Sequence, residues 1–147
     1  MAIDLTLLVP CVNAAALLPP CVAALGSWAE GHPERCTELL LVDDGSTDGT
    51  ASVATALAHP ALEIVTHRCA ENGGKGAALR TGLQLARGRQ VSFLDVDLAV
   101  GPDDLDPLLA ALEAGADLAA GCRNVPGARI TRPQGFWRRN LGRGYLR

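Results

Sequence analysis

A regular alternation narrows what this chain can become more than any other feature. Short runs of leucine and valine take turns with alanine- and leucine-rich stretches, and the conspicuous polar runs fall where an apolar run ends. Asp4–Val9 (DLTLLV) reads as a first strand ended by Pro10. Pro20–Ala29 reads as a helix with Pro20 near its first turn, where a missing N–H costs little. Glu38–Val42 (ELLLV) is a second strand. The following DDGSTDGT is a turn in which Ser46 or Thr47 is placed to cap a helix reaching about Ala58, where His59-Pro60 stops it. Leu62–Thr66 is a third strand, Lys75–Ala86 a helix, and Gln90–Leu94 a fourth strand. Pro102 to Ala114 forms a helix with Asp103, Asp104 and Asp106 at the positive end of its dipole. Asp117–Gly121 is expected as a last short strand.

Strands alternating with helices imply right-handed crossovers and an α/β architecture: a mostly parallel sheet with helices on both faces, three layers in all. Ligands of such sheets bind outside the carboxyl ends of the strands. The unusual polar stretches stand there: VPCVNAA after the first strand, VDDGSTDGT after the second, ENGGKGAALRTG leading into the third helix, and DVDLAV after the fourth strand.

Asp95 and Asp97 interrupt an otherwise apolar run. Alternate residues of a strand share a face, so these two carboxylates would sit side by side and repel unless a cation lay between them. They are too close for the acid–base pair of a glycoside hydrolase, which needs roughly 5–9 Å. They suit one hard divalent cation, Mg²⁺ or Mn²⁺, whose remaining positions a phosphate can fill. In ENGGKGAALR, Gly73, Gly74 and Gly76 surround Lys75, the only lysine in the chain. Glycines let backbone approach a phosphate, and a helix N-terminus favours an anion, although the spacing is not that of a Walker A loop. Each stretch has a plainer reading too: Asp43-Asp44-Gly45-Ser46 as a tight turn, the glycine run as a flexible loop, the two aspartates as surface turn residues.

The 147 residues fit one domain with a real core. No apolar run approaches the roughly 20 residues that span a bilayer, and MAIDLTLLVPCV lacks the basic start of a signal peptide. Five cysteines without a C-x-x-C pair point to free, mostly buried thiols and a cytoplasmic setting. His32, His59 and His67 sit in loop-like contexts and read as solvated. The net charge of −3 hides an asymmetry: Arg123 to Arg147 holds seven arginines and no acid, a balance of +7, while residues 1 to 122 carry six basic residues against all 16 acids, a balance of −10. Such a basic segment suits phosphate, nucleic acid or an anionic membrane face; its plainer reading is a merely soluble end, against which Phe136, Trp137 and Tyr145 interleave with the arginines.

VDDGSTDGT, NGGKGAALRTG, DVDL and GCRNVPG, in this order and spacing, resemble a family 2 glycosyltransferase of the GT-A fold. The likeness is greatest to the branch that moves sugar from a nucleotide onto polyprenyl or dolichyl phosphate, and it covers Leu8 to Arg147. The resemblance implies a single domain over residues 1–147, with 1–122 holding the nucleotide sugar and the Arg-rich 123–147 beginning an acceptor side that is cut short. It implies an inverting, metal-dependent hexosyltransferase using a UDP- or GDP-linked sugar. Pro10, Asn13, Asp43, Asp44 and Gly45 would surround base and ribose, Lys75 and Arg80 would stand near the nucleotide, and Asp95 and Asp97 would hold Mg²⁺ or Mn²⁺ at the diphosphate. Asp97, Arg123 and Arg138 would serve the reaction, the two arginines facing the phosphates of donor and acceptor. A lipid phosphate is ionised near neutral pH and needs no general base, which accounts for the lack of an obvious catalytic Glu or His.

The match departs from the family in its first loop. Val12 stands where an aromatic residue is usual and Ala14 where an acid is usual, so Val12→Tyr with Ala14→Glu is expected to tighten nucleotide binding. The chain also stops where family members continue, which raises the alternative of a nucleotide-sugar-binding module without turnover. A D-x-D phosphatase would carry its motif on the first strand, not after the fourth. A nucleic-acid partner is disfavoured by the acidic body. Peripheral contact with the cytoplasmic membrane face through the Arg-rich segment is the remaining expectation.

Overall fold

The computed structural model describes residues 2–122; Arg123, Arg138 and the basic segment they belong to lie outside the described residues. The chain divides into two compact units at Pro107.

The first unit is built on four parallel strands: β1 (Leu5–Cys11), β2 (Thr37–Asp43), β3 (Glu63–Arg68) and β4 (Gln90–Phe93), in the order β3-β2-β1-β4. Three helices link them: α1 (Leu18–Glu30), α2 (Thr50–Ala56) and α3 (Lys75–Leu85). The chain steps outward from β1 to β3, then returns across the sheet through α3 to place β4 on the other side of β1. Right-handed crossovers put α1 and α2 on one face and α3 on the opposite face. A 3₁₀ turn, Pro102–Asp104, then leads into α4 (Leu105–Glu113), which continues into the second unit.

β1 and β2 read as near-continuous apolar runs because both of their faces are covered; Leu5, Leu7, Leu8 and Val9 are fully buried, and Leu39 to Val42 are at most 1% exposed. On the α3 face, Leu8, Leu40 and Val42 pack with Ala78. A Cβ at Gly82 would collide with the Leu8 side chain, so α3 lies unusually close to the sheet.

β1 runs through Pro10, where an end was expected. Leu8 accepts from Leu94 N–H at 3.0 Å on the β4 side, and alternation turns Pro10 to that same side, where β4 has already ended. Its missing N–H therefore leaves no acceptor unmet. Neither Ser46 nor Thr47 caps α2 as expected: its N-cap residue is Gly49, and Asp48 Oδ1 before it accepts from Thr50 N–H at 2.9 Å. No strand forms at Asp117–Gly121. Its alanines favour a strand weakly, and no neighbouring strand among the described residues offers them a ladder.

At the amino ends of the strands, Glu38 is 1% exposed yet fully partnered. Thr6 Oγ1 donates to it at 2.7 Å, and Arg87 donates through its backbone N–H at 3.1 Å and through Nε at 2.7 Å. Arg87 reaches on to Glu63 at 2.6 Å. Burial alone would push the Glu38 carboxyl up, but the Thr6 and Arg87 hydrogen bonds outweigh it and hold the group below the usual carboxylate range.

Two of the expected features differ in detail. Only Cys11 and Cys21 are buried; Cys36 and Cys69 are half-buried and Cys122 is exposed. His67 lies in β3, and His59 is tucked against Gly26 of α1, so neither occupies a solvated loop. No helix among the described residues is long and apolar enough to cross a membrane.

Candidate functional site

At the carboxyl end of the sheet a cleft of about 280 Å³ is lined by Pro10, Cys11, Val12, Leu17, Asp44, Lys75, Ala78, Asp95, Val96 and Asp97. It sits where the strand order turns back on itself, between β1 and β4, the position at which open α/β sheets leave a crevice. Residues from four separated polar stretches meet there.

Four loops border it, and hydrogen bonds join the first three. The loop after β1 is sewn to the loop after β2. Asn13 N–H donates to Ser46 Oγ at 2.9 Å, Ala14 N–H to Thr50 Oγ1 at 2.8 Å and Ala15 N–H to Asp48 Oδ2 at 3.4 Å, while Asn13 Oδ1 accepts from Thr47 N–H at 2.9 Å. Asn13 has φ 48°, a left-handed conformation that asparagine tolerates better than most residues. Thr50 donates its hydroxyl to Asp48, and this bond is the main cause that holds the Asp48 carboxyl below its usual range.

The loop after β2 is joined in turn to the loop before α3. Asp44 Oδ1 accepts from Gly73 N–H at 3.0 Å, and Asp43 O accepts from Cys69 N–H at 2.8 Å. Gly45 sits between them with φ 68°, and a Cβ there would stand 2.7 Å from Asn72 N. Gly45 therefore closes two backbones together and does not line the cleft. Asp43, 3% exposed, is also set behind the cleft wall. Its Oδ1 accepts from Ser46 N–H at 3.0 Å, and its buried Oδ2 has no hydrogen-bond partner among the described residues, Arg68 Nε standing 3.6 Å away.

Lys75 is the first residue of α3, and Gly74 before it, at φ 83°, permits the sharp entry. The Lys75 ammonium pairs with Asp95 and lies 5.8 Å above the Phe93 ring. Asp95 and Asp97 project from a turn in which Leu98 N–H returns to Asp95 O at 2.9 Å. They are thus not neighbours on an extended strand, as the alternation suggested, but both face the cleft. The cation standing on Asp95 in this structure is Lys75.

Arg80 is not brought to the cleft. Five residues beyond Lys75, it lies about 140° further round α3, on the exposed side. Val12, 42% exposed, lines the cleft. Ala14 is 3% exposed, so a glutamate there would have to bury its carboxylate, and the proposed double substitution reduces to Val12→Tyr alone.

Two exposed carboxylates supply the hard oxygen donors that Mg²⁺ or Mn²⁺ takes. Among the described residues no group of three or more His, Cys, Asp or Glu side chains is placed to hold an ion. The pair therefore fits the common arrangement of one or two carboxylates with substrate phosphates completing the shell, and not a closed protein cage. Beneath the cleft the thiols are poor nucleophiles: burial first, then Asp43, pushes Cys11 up to about 12. The inter-loop stitching was missed by sequence reasoning, since its partners lie more than thirty residues apart; the run of Ser, Thr and Asp in DDGSTDGT was its only signal.

A family model described as Glycosyl transferase family 2 matches residues 6–144. The Dolichyl-phosphate beta-glucosyltransferase of Drosophila melanogaster is 37% identical over 118 residues, covering 76% of this chain and 36% of that protein. The Polyprenol monophosphomannose synthase of Mycolicibacterium smegmatis is 45% identical over 97 residues, 63% of this chain and 36% of the relative. The chain thus spans about a third of the length of the curated relatives it matches. Among solved structures, the mannosyltransferase PcManGT from Pyrobaculum calidifontis in complex with GDP-Man and Mn²⁺ superposes with TM-score 0.60 at 32% identity, covering 69% of this chain and 30% of that one. S. aureus TarS 1-349 in complex with UDP-GlcNAc, at 24% identity and TM-score 0.63, covers 76% of this chain and 32% of its own and shares the fold.

Proposed function

The chain belongs to glycosyl transferase family 2 and has the GT-A fold, and from that premise we propose that its cleft binds a nucleotide diphosphate sugar whose sugar is transferred, with inversion, to a polyprenyl or dolichyl phosphate. One observation carries this reading: Pro10, Asp44, Lys75, Asp95 and Asp97, drawn from four separate motifs, line one cleft at the turning point of the sheet. The acceptor class is taken from relatives named for dolichyl phosphate and polyprenol.

The chemistry asks little of the protein in proton transfer. A phosphate oxygen of the lipid attacks the anomeric carbon from the face opposite the leaving group, and the bond to the nucleoside diphosphate breaks with both electrons. Lys75, at the amino end of α3, faces the charge that accumulates on the departing diphosphate. Asp95 orients the Lys75 ammonium in the empty cleft and releases it to the diphosphate when donor arrives. Asp95 and Asp97 would hold Mg²⁺ or Mn²⁺, which when bound neutralises diphosphate charge. Pro10 and Val12 form the apolar side against the nucleoside, Asp44 supplies an acceptor for base and ribose with Asp43 holding the loop behind it through Ser46 N–H, and Asn13 holds the loop after β1. Arg123 and Arg138 are assigned to the phosphates of donor and acceptor. The Arg-rich segment is assigned to an anionic membrane face at about 1 kcal/mol per basic residue close to it.

Calorimetric titration with UDP and GDP, with and without Mn²⁺, tests the donor site. One nucleotide is expected to bind in a Mn²⁺-dependent manner, and Asp97→Asn to abolish the metal-dependent part. A folded protein that binds neither nucleotide would sink the reading. Binding without turnover on polyprenyl phosphate would favour a binding module.

A further inference from the structure

The turn bearing Asp95 and Asp97 lies beyond the end of the sheet, and something other than strand pairing must hold it. Upstream it is secured by the Leu94 N–H to Leu8 O bond of 3.0 Å and by the Lys75–Asp95 pair. Internally, Leu98 N–H reaches Asp95 O at 2.9 Å and Ala99 N–H reaches Asp97 Oδ1 at 3.1 Å. Leu98 has φ 46°, which a leucine adopts only under constraint.

Downstream, the constraint is at Asp106. Its Oδ1 accepts from the Trp28 indole Nε1–H at 2.9 Å and faces His32 Nε2 at 3.3 Å. The His32 ring stacks on Trp28 with centroids 4.3 Å apart, and its Nδ1 lies 2.8 Å from Trp28 O. Leu105 beside it is 2% exposed. Both Trp28 and His32 belong to the last turn of α1 or just follow it.

The start of α1 borders the same cleft as the turn. Leu17, its N-cap residue, lines the cleft together with Asp97. Burial is the larger cause of the raised Cys21 thiol, but the Asp97 carboxylate is near enough to add to it. Trp28 follows Cys21 by two helical turns, about 10 Å along the axis. The segment from Asp97 to Asp106 therefore runs beside α1 and is held at both of its ends.

We propose that Trp28, His32 and Asp106 form a latch that fixes the Asp95–Asp97 turn at the cleft, making Asp106 a positioning residue for the diphosphate end of the site. The functional half of this inference rests on the donor-site reading; the structural half stands without it.

The test compares Asp106→Leu, which leaves the indole N–H without its acceptor, with Asp106→Asn, which keeps an oxygen there. Amide hydrogen exchange is followed at Leu98 and Ala99, with Leu7 and Leu40 reporting the core, and Mn²⁺-dependent UDP and GDP affinity is measured on the same proteins. In Asp106→Leu, exchange at Leu98 and Ala99 is expected to rise about fivefold, the worth of one hydrogen bond, with the core rates unchanged. The metal-dependent affinity falls by a similar factor and the metal-free affinity stays as it was, while Asp106→Asn behaves like the parent. Unchanged exchange at Leu98 and Ala99, or equal acceleration at Leu7 and Leu40, overturns the latch. Faster turn exchange with unaltered metal-dependent affinity overturns the positioning role. A parent protein that binds neither nucleotide defeats the donor-site reading instead, and the exchange rates still decide the latch.

Discussion

β2 carries a buried acid at each end, and the two live differently. Glu38, at the amino end, is surrounded by donors: the Thr6 hydroxyl, the Arg87 backbone N–H and the Arg87 guanidinium. Asp43, at the carboxyl end, is nearly as buried but keeps one oxygen without a hydrogen-bond partner among the described residues. Beyond it, Asp95 and Asp97 are exposed, and Lys75 pairs with Asp95. A closed network of buried charges resists the loss of any one member, because the partners left behind are unpaired in the interior. An open one is held in place by the fold and completed by a ligand. The sheet thus has a closed end at Glu38 and an open end where we propose that the donor binds, its working end.

Substitution should split the two ends by kind of effect. Glu38→Leu leaves the Thr6 hydroxyl and the Arg87 N–H without their acceptor in the interior, and is expected to lower stability by about 3 kcal/mol in urea unfolding. Asp97→Asn should shift the urea midpoint negligibly, by less than about 0.5 kcal/mol, while removing metal-dependent nucleotide binding. If Asp97→Asn destabilised as much as Glu38→Leu, the division between closed and open ends would fail.

Acid sharpens the contrast. Because the folded carboxyl of Glu38 lies below its unfolded value, its contribution is fully present above the ordinary glutamate range near pH 4.3 and is lost as pH falls through the folded value. Unfolding midpoints taken from pH 6 down to pH 3 should therefore fall in the parent, and fall less steeply in Glu38→Leu. Parallel curves would show that Glu38 is not held down in the folded state.

At the working end the effects are smaller. Thr50→Val removes the hydroxyl that joins Ala14 N–H to Asp48 and is expected to cost about 1.5 kcal/mol, with Thr50→Ser restoring most of it, again by urea unfolding. Val12→Tyr adds a stacking surface on the cleft wall and should tighten nucleotide binding by about 1 kcal/mol, read by calorimetry. A loss of affinity there would mean that the base does not lie along the loop after β1.

Much of this was legible in the chain itself. The four strands and three crossover helices are visible because apolar runs of strand length are punctuated by Pro, Gly and Asp, and because a doubly covered sheet needs nearly continuous leucine and valine. The cleft was visible because polar stretches can only gather where strands end. What escaped was anything decided through space. Arg80 belongs to the same motif as Lys75 but faces away because helical geometry separates them. Ala14 stands in a binding loop yet points into the interior, and Gly45 serves its neighbouring backbone more than a ligand. Asp117–Gly121 was expected as a strand but has no neighbour to pair with among the described residues, and pairing is a property of the fold, not of the segment.

The bare Cα of Gly82 against Leu8 has a consequence for tolerance to change. Leu8 is fully buried and has nowhere to retreat, so the cheapest response to any side chain at residue 82 is for α3 to ride higher on the sheet. Lys75 stands two turns up the same helix, about 10 Å away, and would be carried with it. The spacing between its ammonium and the carboxylates across the cleft is thus gauged by a contact in the hydrophobic interior. A lineage of such proteins could retune that spacing from position 82 while every residue that meets the ligand stayed the same.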